Sequence, residues 1–98
     1  MFDIKVQNGK EVLLSGRFDA SQIEKAYKTL DAIKEDCTVD FKELQYISSA
    51  GLGALIKTYS RLKNSGHSIK LINMNKHIYE VFKISALDKV FLIDLTEK

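Results

Sequence analysis

A chain of 98 residues fits one domain and not two, and 45% hydrophobic content suffices for one modest core. Fifteen Lys and Arg against thirteen Asp and Glu leave a formal charge of +2 with no run of like sign, which excludes nucleic acid or an anionic membrane as the default partner. One cysteine, no proline and five glycines leave no internal disulfide, no thiol-based metal site and no linker-like stretch.

Phe2, Ile4 and Val6 alternate with polar residues, the period of a strand with one buried face. Asn8-Gly9 follows, then an apolar segment over residues 10–15. This predicts an opening hairpin, since both central residues of a type I′ turn need positive φ. Gly16 is expected to end the second strand, and Asp19 or Ser21 to cap a helix. Ile23, Ala26, Tyr27, Leu30 and Ile33 fall at helical spacing. Cys37 to Phe41 reads as a central strand, followed by a loop. A second helix carries Leu52, Leu55, Ile56, Tyr59 and Leu62 on one stripe and ends near Asn64-Ser65-Gly66. Ile69 to Ile72 reads as a short strand, Ile78, Val81 and Phe82 as a third helix, and Val90 to Ile93 as a last strand.

The order β-β-α-β-α-β-α-β defines an α/β fold. Helical connections imply parallel pairing, and the hairpin adds an antiparallel strand at or near one edge. A single mixed sheet over residues 1–98 is expected, with three helices packed mainly on one face.

Chemistry-bearing motifs are sparse. His67, in a turn, and His77, near a helix start, share no short motif with Cys37 or a carboxylate pair. Cys37, in an apolar strand, reads as a small core residue. No nucleophile elbow, Walker loop or dinucleotide fingerprint occurs. Hence no catalytic residue, metal or cofactor is expected. Lys57 and Arg61 are poorly placed for a nucleotide near Gly51, and Lys57, Lys63, Lys70 and Lys76 read as solvated charges. Met1-Phe2-Asp3-Ile4-Lys5 lacks the features of a signal peptide. No apolar run approaches the roughly 20 residues that span a bilayer. A cytoplasmic location without direct membrane insertion is expected.

The segment that stands out is Tyr46-Ile47-Ser48-Ser49-Ala50-Gly51-Leu52-Gly53. Two serines sit where the first turn of a helix leaves its amides free. Simple capping accounts for one of them. An exposed hydroxyl at this place also suits phosphorylation, because the added negative charge meets the positive end of the helix dipole.

This segment resembles the aromatic, aliphatic, Asp, Ser, small, Gly, Leu, Gly pattern of STAS domains, the family of bacterial anti-sigma factor antagonists. Gly16-Arg17-Phe18-Asp19-Ala20 is similar to the family's glycine-x-apolar-aspartate turn. Val39-Asp40-Phe41 with Leu44 and Tyr46 resembles the strand leading to the pattern. Residues 81–91, from Val81-Phe82 to Val90-Phe91, resemble its closing helix and apolar-aromatic run.

The resemblance implies the STAS fold and a regulatory module that binds a partner protein. That partner is an anti-sigma factor which is also a serine kinase of histidine-kinase-like type, with a phosphatase as a possible further partner. It makes Ser49 the phosphorylation candidate, ahead of Ser48. It implies a partner-binding edge formed by Asp19, Ser48, Ser49, Ala50, Gly51 and Leu52. In one departure, Ser48 stands where the family has aspartate. Serine can cap the helix but brings no charge, which relieves repulsion of a phosphate and also removes a group a kinase can read. Other family members are unphosphorylated scaffold subunits of signalling or membrane-transport complexes, which supplies an alternative role.

Overall fold

The computed structural model describes residues 2–94; Met1 and residues 95–98, part of the expected domain span, lie outside the described residues. Five strands form one sheet in the order β1-β2-β3-β4-β5: β1 Phe2–Gln7, β2 Glu11–Phe18, β3 Cys37–Ile47, β4 Ile69–Ile72 and β5 Leu92–Asp94. The helices are α1 Ile23–Leu30, α2 Ser49–Asn64 and α3 Lys76–Ile84, with 3-10 turns at Ala20–Gln22 and Leu87–Lys89.

β1 and β2 pair antiparallel around Asn8 and Gly9, whose φ angles of 55° and 72° suit the expected turn. The other three pairings are parallel. Each parallel step moves one strand further in the same direction through a helix. Three right-handed crossovers in succession therefore place all three helices over one face. That face carries the core, including Val12, Leu14, Phe18, Val39, Phe41 and Leu71. The other face is open. A shallow depression there is lined by Gln7, Glu11, Leu13, Thr38, Asp40 and Ile72.

Four boundaries differ from expectation. β2 does not end at Gly16; it continues to Phe18, with Gly16 at φ 82°, a conformation glycine takes without strain. β3 runs to Ile47 and absorbs the expected loop. Its register against β2 shifts twice, between Leu13 and Ser15 and between Gly16 and Arg17. Each shift inserts an extra β3 residue, so Phe41, Leu44 and Ile47, spaced by three, all stay buried. The Asp40 carboxylate supports the first insertion by accepting from the Lys42 amide at 2.9 Å.

α1 stops at Leu30, so Ile33 belongs to the core but not to the helix. The cause is a clasp from α2: the Arg61 guanidinium donates to the carbonyls of Leu30 and Ile33, each at 2.8 Å. The last strand starts at Leu92 rather than Val90. Phe91 first turns into the core against Tyr59 and Phe82, at ring distances of 5.2 and 5.8 Å.

Candidate functional site

The site lies where the carboxyl ends of β2 and β3 meet the start of α2. One residue, Ser48, separates the last strand position from the first helical one. Its backbone is extended, and its amide donates to the Phe18 carbonyl at 2.9 Å. Its hydroxyl accepts from the Gly51 amide at 3.2 Å, and its carbonyl from the Leu52 amide at 2.9 Å. Ser48 is thus the helix cap, and its hydroxyl is occupied by that task.

Ser49 follows as the first residue of α2. Its side chain is exposed and makes no hydrogen bond to a described residue. The two adjacent hydroxyls therefore have different environments. One satisfies the fold, and the other faces solvent beside the free amides of a helix N-terminus.

The first turn of α2 sits unusually close to the sheet. A Cβ on Gly51 would lie 2.9 Å from Ile47 Cγ1, 3.0 Å from the Phe18 carbonyl oxygen and 3.1 Å from Phe18 Cγ. Gly51 is needed for that approach, and Leu52 anchors the turn in the core. Ala50 is half-buried beside Ser49. Gly53 is different: a Cβ there would meet nothing within 4 Å. Its surface position gives it no packing reason to lack a side chain.

Asp19 immediately follows β2 and caps the 3-10 turn, not α1 itself; the α1 cap position, Gln22, makes no side-chain cap bond. The Asp19 carboxylate accepts from the Ser21 hydroxyl at 2.6 Å and from the Ser21 amide at 3.1 Å. The Ser21 hydroxyl above all, then its amide and the Arg17 charge, hold this carboxyl below its ordinary 3.8 against a desolvation that raises it. Asp19 is an ionised group at the same rim as Ser48 and Ser49, because Phe18 links the two loops through its carbonyl.

The remaining candidates lie elsewhere. Cys37 is buried, and desolvation pushes its thiol up to about 11. His67 pairs with Asp36 at 3.3 Å at the amino ends of β3 and β4, away from Ser49. His77 is exposed on the first turn of α3. Arg61 is committed to α1. Lys57, Lys63, Lys70 and Lys76 are exposed, as expected of solvated charges. Among the described residues no helix is long and apolar enough to cross a membrane.

The sequence shows Arg17 and Tyr46 only inside separate motifs and does not pair them. They are cross-strand partners just before the site, and the Arg17 Cζ lies 4.3 Å from the Tyr46 ring centre. Their pairing depends on the β3 insertions and has no local signal.

This is a small mixed α/β domain with Asp19, Ser48 and Ser49 on a rim at the strand ends. Residues 5–96 match a family model described as Mlab, STAS domain. The chain belongs to the STAS domain family. It is 27% identical over 95 residues to an anti-sigma-B factor antagonist of Bacillus subtilis, which covers 94% of this chain and 85% of that protein.

The fold matches an anti-sigma factor antagonist from Mycobacterium paratuberculosis with TM-score 0.81 and 19% identity, over 98% of this chain and 86% of the other. It also matches SpoIIAA, a Bacillus cell fate determinant. For its unphosphorylated form the TM-score is 0.70 at 15% identity, over 99% and 90% of the two chains. For its phosphorylated form the values are 0.69 and 17%, over 97% and 92%. Two further curated relatives, from Listeria monocytogenes and Listeria innocua and each 23% identical over 91 residues, are likewise anti-sigma-B factor antagonists, which supports a regulatory role for this chain.

Proposed function

We propose that residues 1–98 act in the cytoplasm as one STAS domain, an anti-sigma factor antagonist that docks on a kinase-type anti-sigma factor. The docking edge is the start of α2 with Asp19, and Ser49 is the residue the partner phosphorylates. One observation carries this reading: Ser48 caps the helix, so the exposed Ser49 hydroxyl has no structural task. A phosphate there adds a charge of about −1.5 to −2 at the positive end of the helix dipole. The interaction is worth roughly 0.3–1 kcal/mol at an exposed site, so the domain accepts the group without refolding. The partner does not accept it as easily, since the phosphate fills the contact surface with charge and bulk. A phosphatase would reset the module.

Incubation with ATP and a kinase-type anti-sigma factor, read by intact mass and peptide mapping, tests the site. One phosphate on the wild-type chain and none on Ser49→Ala is the expected result. A phosphate that persists in Ser49→Ala would refute the assignment.

A second reading, a constitutive scaffold subunit of a signalling or membrane-transport complex, draws on Ser48. The family pattern has a carboxylate at this position, and here a neutral hydroxyl performs the cap. This reading expects no phosphate on Ser49 and a binding affinity that Ser49→Asp leaves unchanged.

A further inference from the structure

We infer that Arg17 and Tyr46 form a second contact zone of the same docking surface, one that takes a carboxylate side chain of the partner protein. This deepens the proposed function and rests on it. Arg17 and Tyr46 stand directly opposite each other on β2 and β3, one position before Phe18 and Ile47. Phe18 and Ile47 are buried, while Arg17 and Tyr46 are exposed, Tyr46 by 39%. The pair therefore lies on the open face, where the sheet meets the rim that holds Asp19, Ser48 and Ser49. A partner seated on that rim overhangs it.

Three features set this pair apart. First, the register shift between Gly16 and Arg17 is what brings Arg17 opposite Tyr46, and Gly16 at φ 82° supports it. Such insertions re-aim side chains next to functional sites. Second, the guanidinium lies 4.3 Å from the ring centre, which orders a side chain that otherwise loses much rotamer freedom on binding. Third, its donors are unclaimed. Among the described residues Arg17 makes neither a hydrogen bond nor a salt bridge.

The chain's other arginine supplies the contrast: Arg61 places two donors on backbone carbonyls and serves the fold. A stacked, preorganised guanidinium with a free planar fork matches a carboxylate in two-point geometry. Arginine and tyrosine are also among the residues that dominate interface energies. Asp19, already held as an anion by Ser21, is the neighbouring charge on the rim. Together they give the surface a plus–minus pattern that sets the orientation of the partner.

The test is a titration of wild-type, Arg17→Glu, Arg17→Lys, Tyr46→Leu and Ser49→Asp chains against a panel of purified anti-sigma factors, at low and moderate salt. For the factor that wild type binds, Arg17→Glu is expected to weaken binding by about 30-fold or more. Arg17→Lys and Tyr46→Leu should weaken it by about three- to tenfold. Melting midpoints should stay unchanged, and the salt dependence should persist in Arg17→Lys and Tyr46→Leu but be lost or reversed in Arg17→Glu. Replacing one carboxylate of the partner by lysine should restore binding to Arg17→Glu. If Arg17→Glu binds like wild type while Ser49→Asp does not, the second zone is overturned and the docking edge stands. If wild type binds no member of the panel, the antagonist reading is overturned, and this inference with it.

Discussion

The two ends of α2 are fixed to the rest of the molecule by different means. At its amino end the helix is pressed against the sheet, with no room for a methyl group between Gly51 and the Phe18 carbonyl, and a hydroxyl closes the cap. At its carboxyl end it reaches sideways, and Arg61 clasps the last carbonyls of α1 and the loop after it. The first device works through the absence of atoms, the second through a long charged side chain. Both leave the outer surface of the first two turns, Ser49 and Gly53, free of structural duty. A helix held in this way at both ends can present a rigid edge to a partner.

Breaking the carboxyl-end clasp is expected to have the largest effect on stability. Arg61→Ala removes two charge-assisted bonds; the Leu30 carbonyl keeps the Ile33 amide at 3.1 Å, while the Ile33 carbonyl loses its partner, which costs about 2–3 kcal/mol. Arg61→Lys should recover less than half of this, because one ammonium cannot span both carbonyls with the same geometry. Chemical denaturation reads both values.

At the amino end, Gly51→Ala should destabilise by about 1–2 kcal/mol. The helix-propensity gain of roughly 0.5–1 kcal/mol is outweighed by a methyl forced against backbone, because Phe18 cannot retreat without disturbing β2. Ser48→Ala removes the cap and should cost about 1 kcal/mol, whereas Ser48→Asp should match or exceed wild type by placing a negative charge at the helix start. Gly53→Ala reverses the sign. With nothing near the new methyl, stability should rise by about 0.5–1 kcal/mol. If Gly53 lies within the docking edge, the larger Gly53→Leu should fold normally yet lose partner affinity.

Much of this architecture can be read along the chain, and the reasons for the exceptions are physical. Asn8-Gly9 announced the hairpin because the turn chemistry is local. The α2 stripe and the Tyr46–Gly53 motif placed the strand-to-helix junction within one residue of its position in the fold. The far half of β3 was hidden because two inserted residues change its buried spacing from two to three, and Lys42, Glu43 and Gln45 then look like a loop. Ile33 stays in phase with α1 although the helix has ended, since what marks its end is an arginine 28 positions further along the chain. The last strand was displaced because Phe91 answers to a ring cluster from α2 and α3. The split between Ser48 and Ser49 was open for a similar reason. Either hydroxyl can cap on paper, and only the geometry at Gly51 assigns the task to Ser48.

The measurement that bears most directly on the central claim is calorimetric titration of one purified anti-sigma factor with wild-type chain and with Ser49→Asp. If the unburdened Ser49 hydroxyl marks the docking edge, the substitution should weaken binding by about a hundredfold, equivalent to roughly 2.7 kcal/mol, with the melting midpoint unchanged. Equal affinities for the two chains would contradict the account.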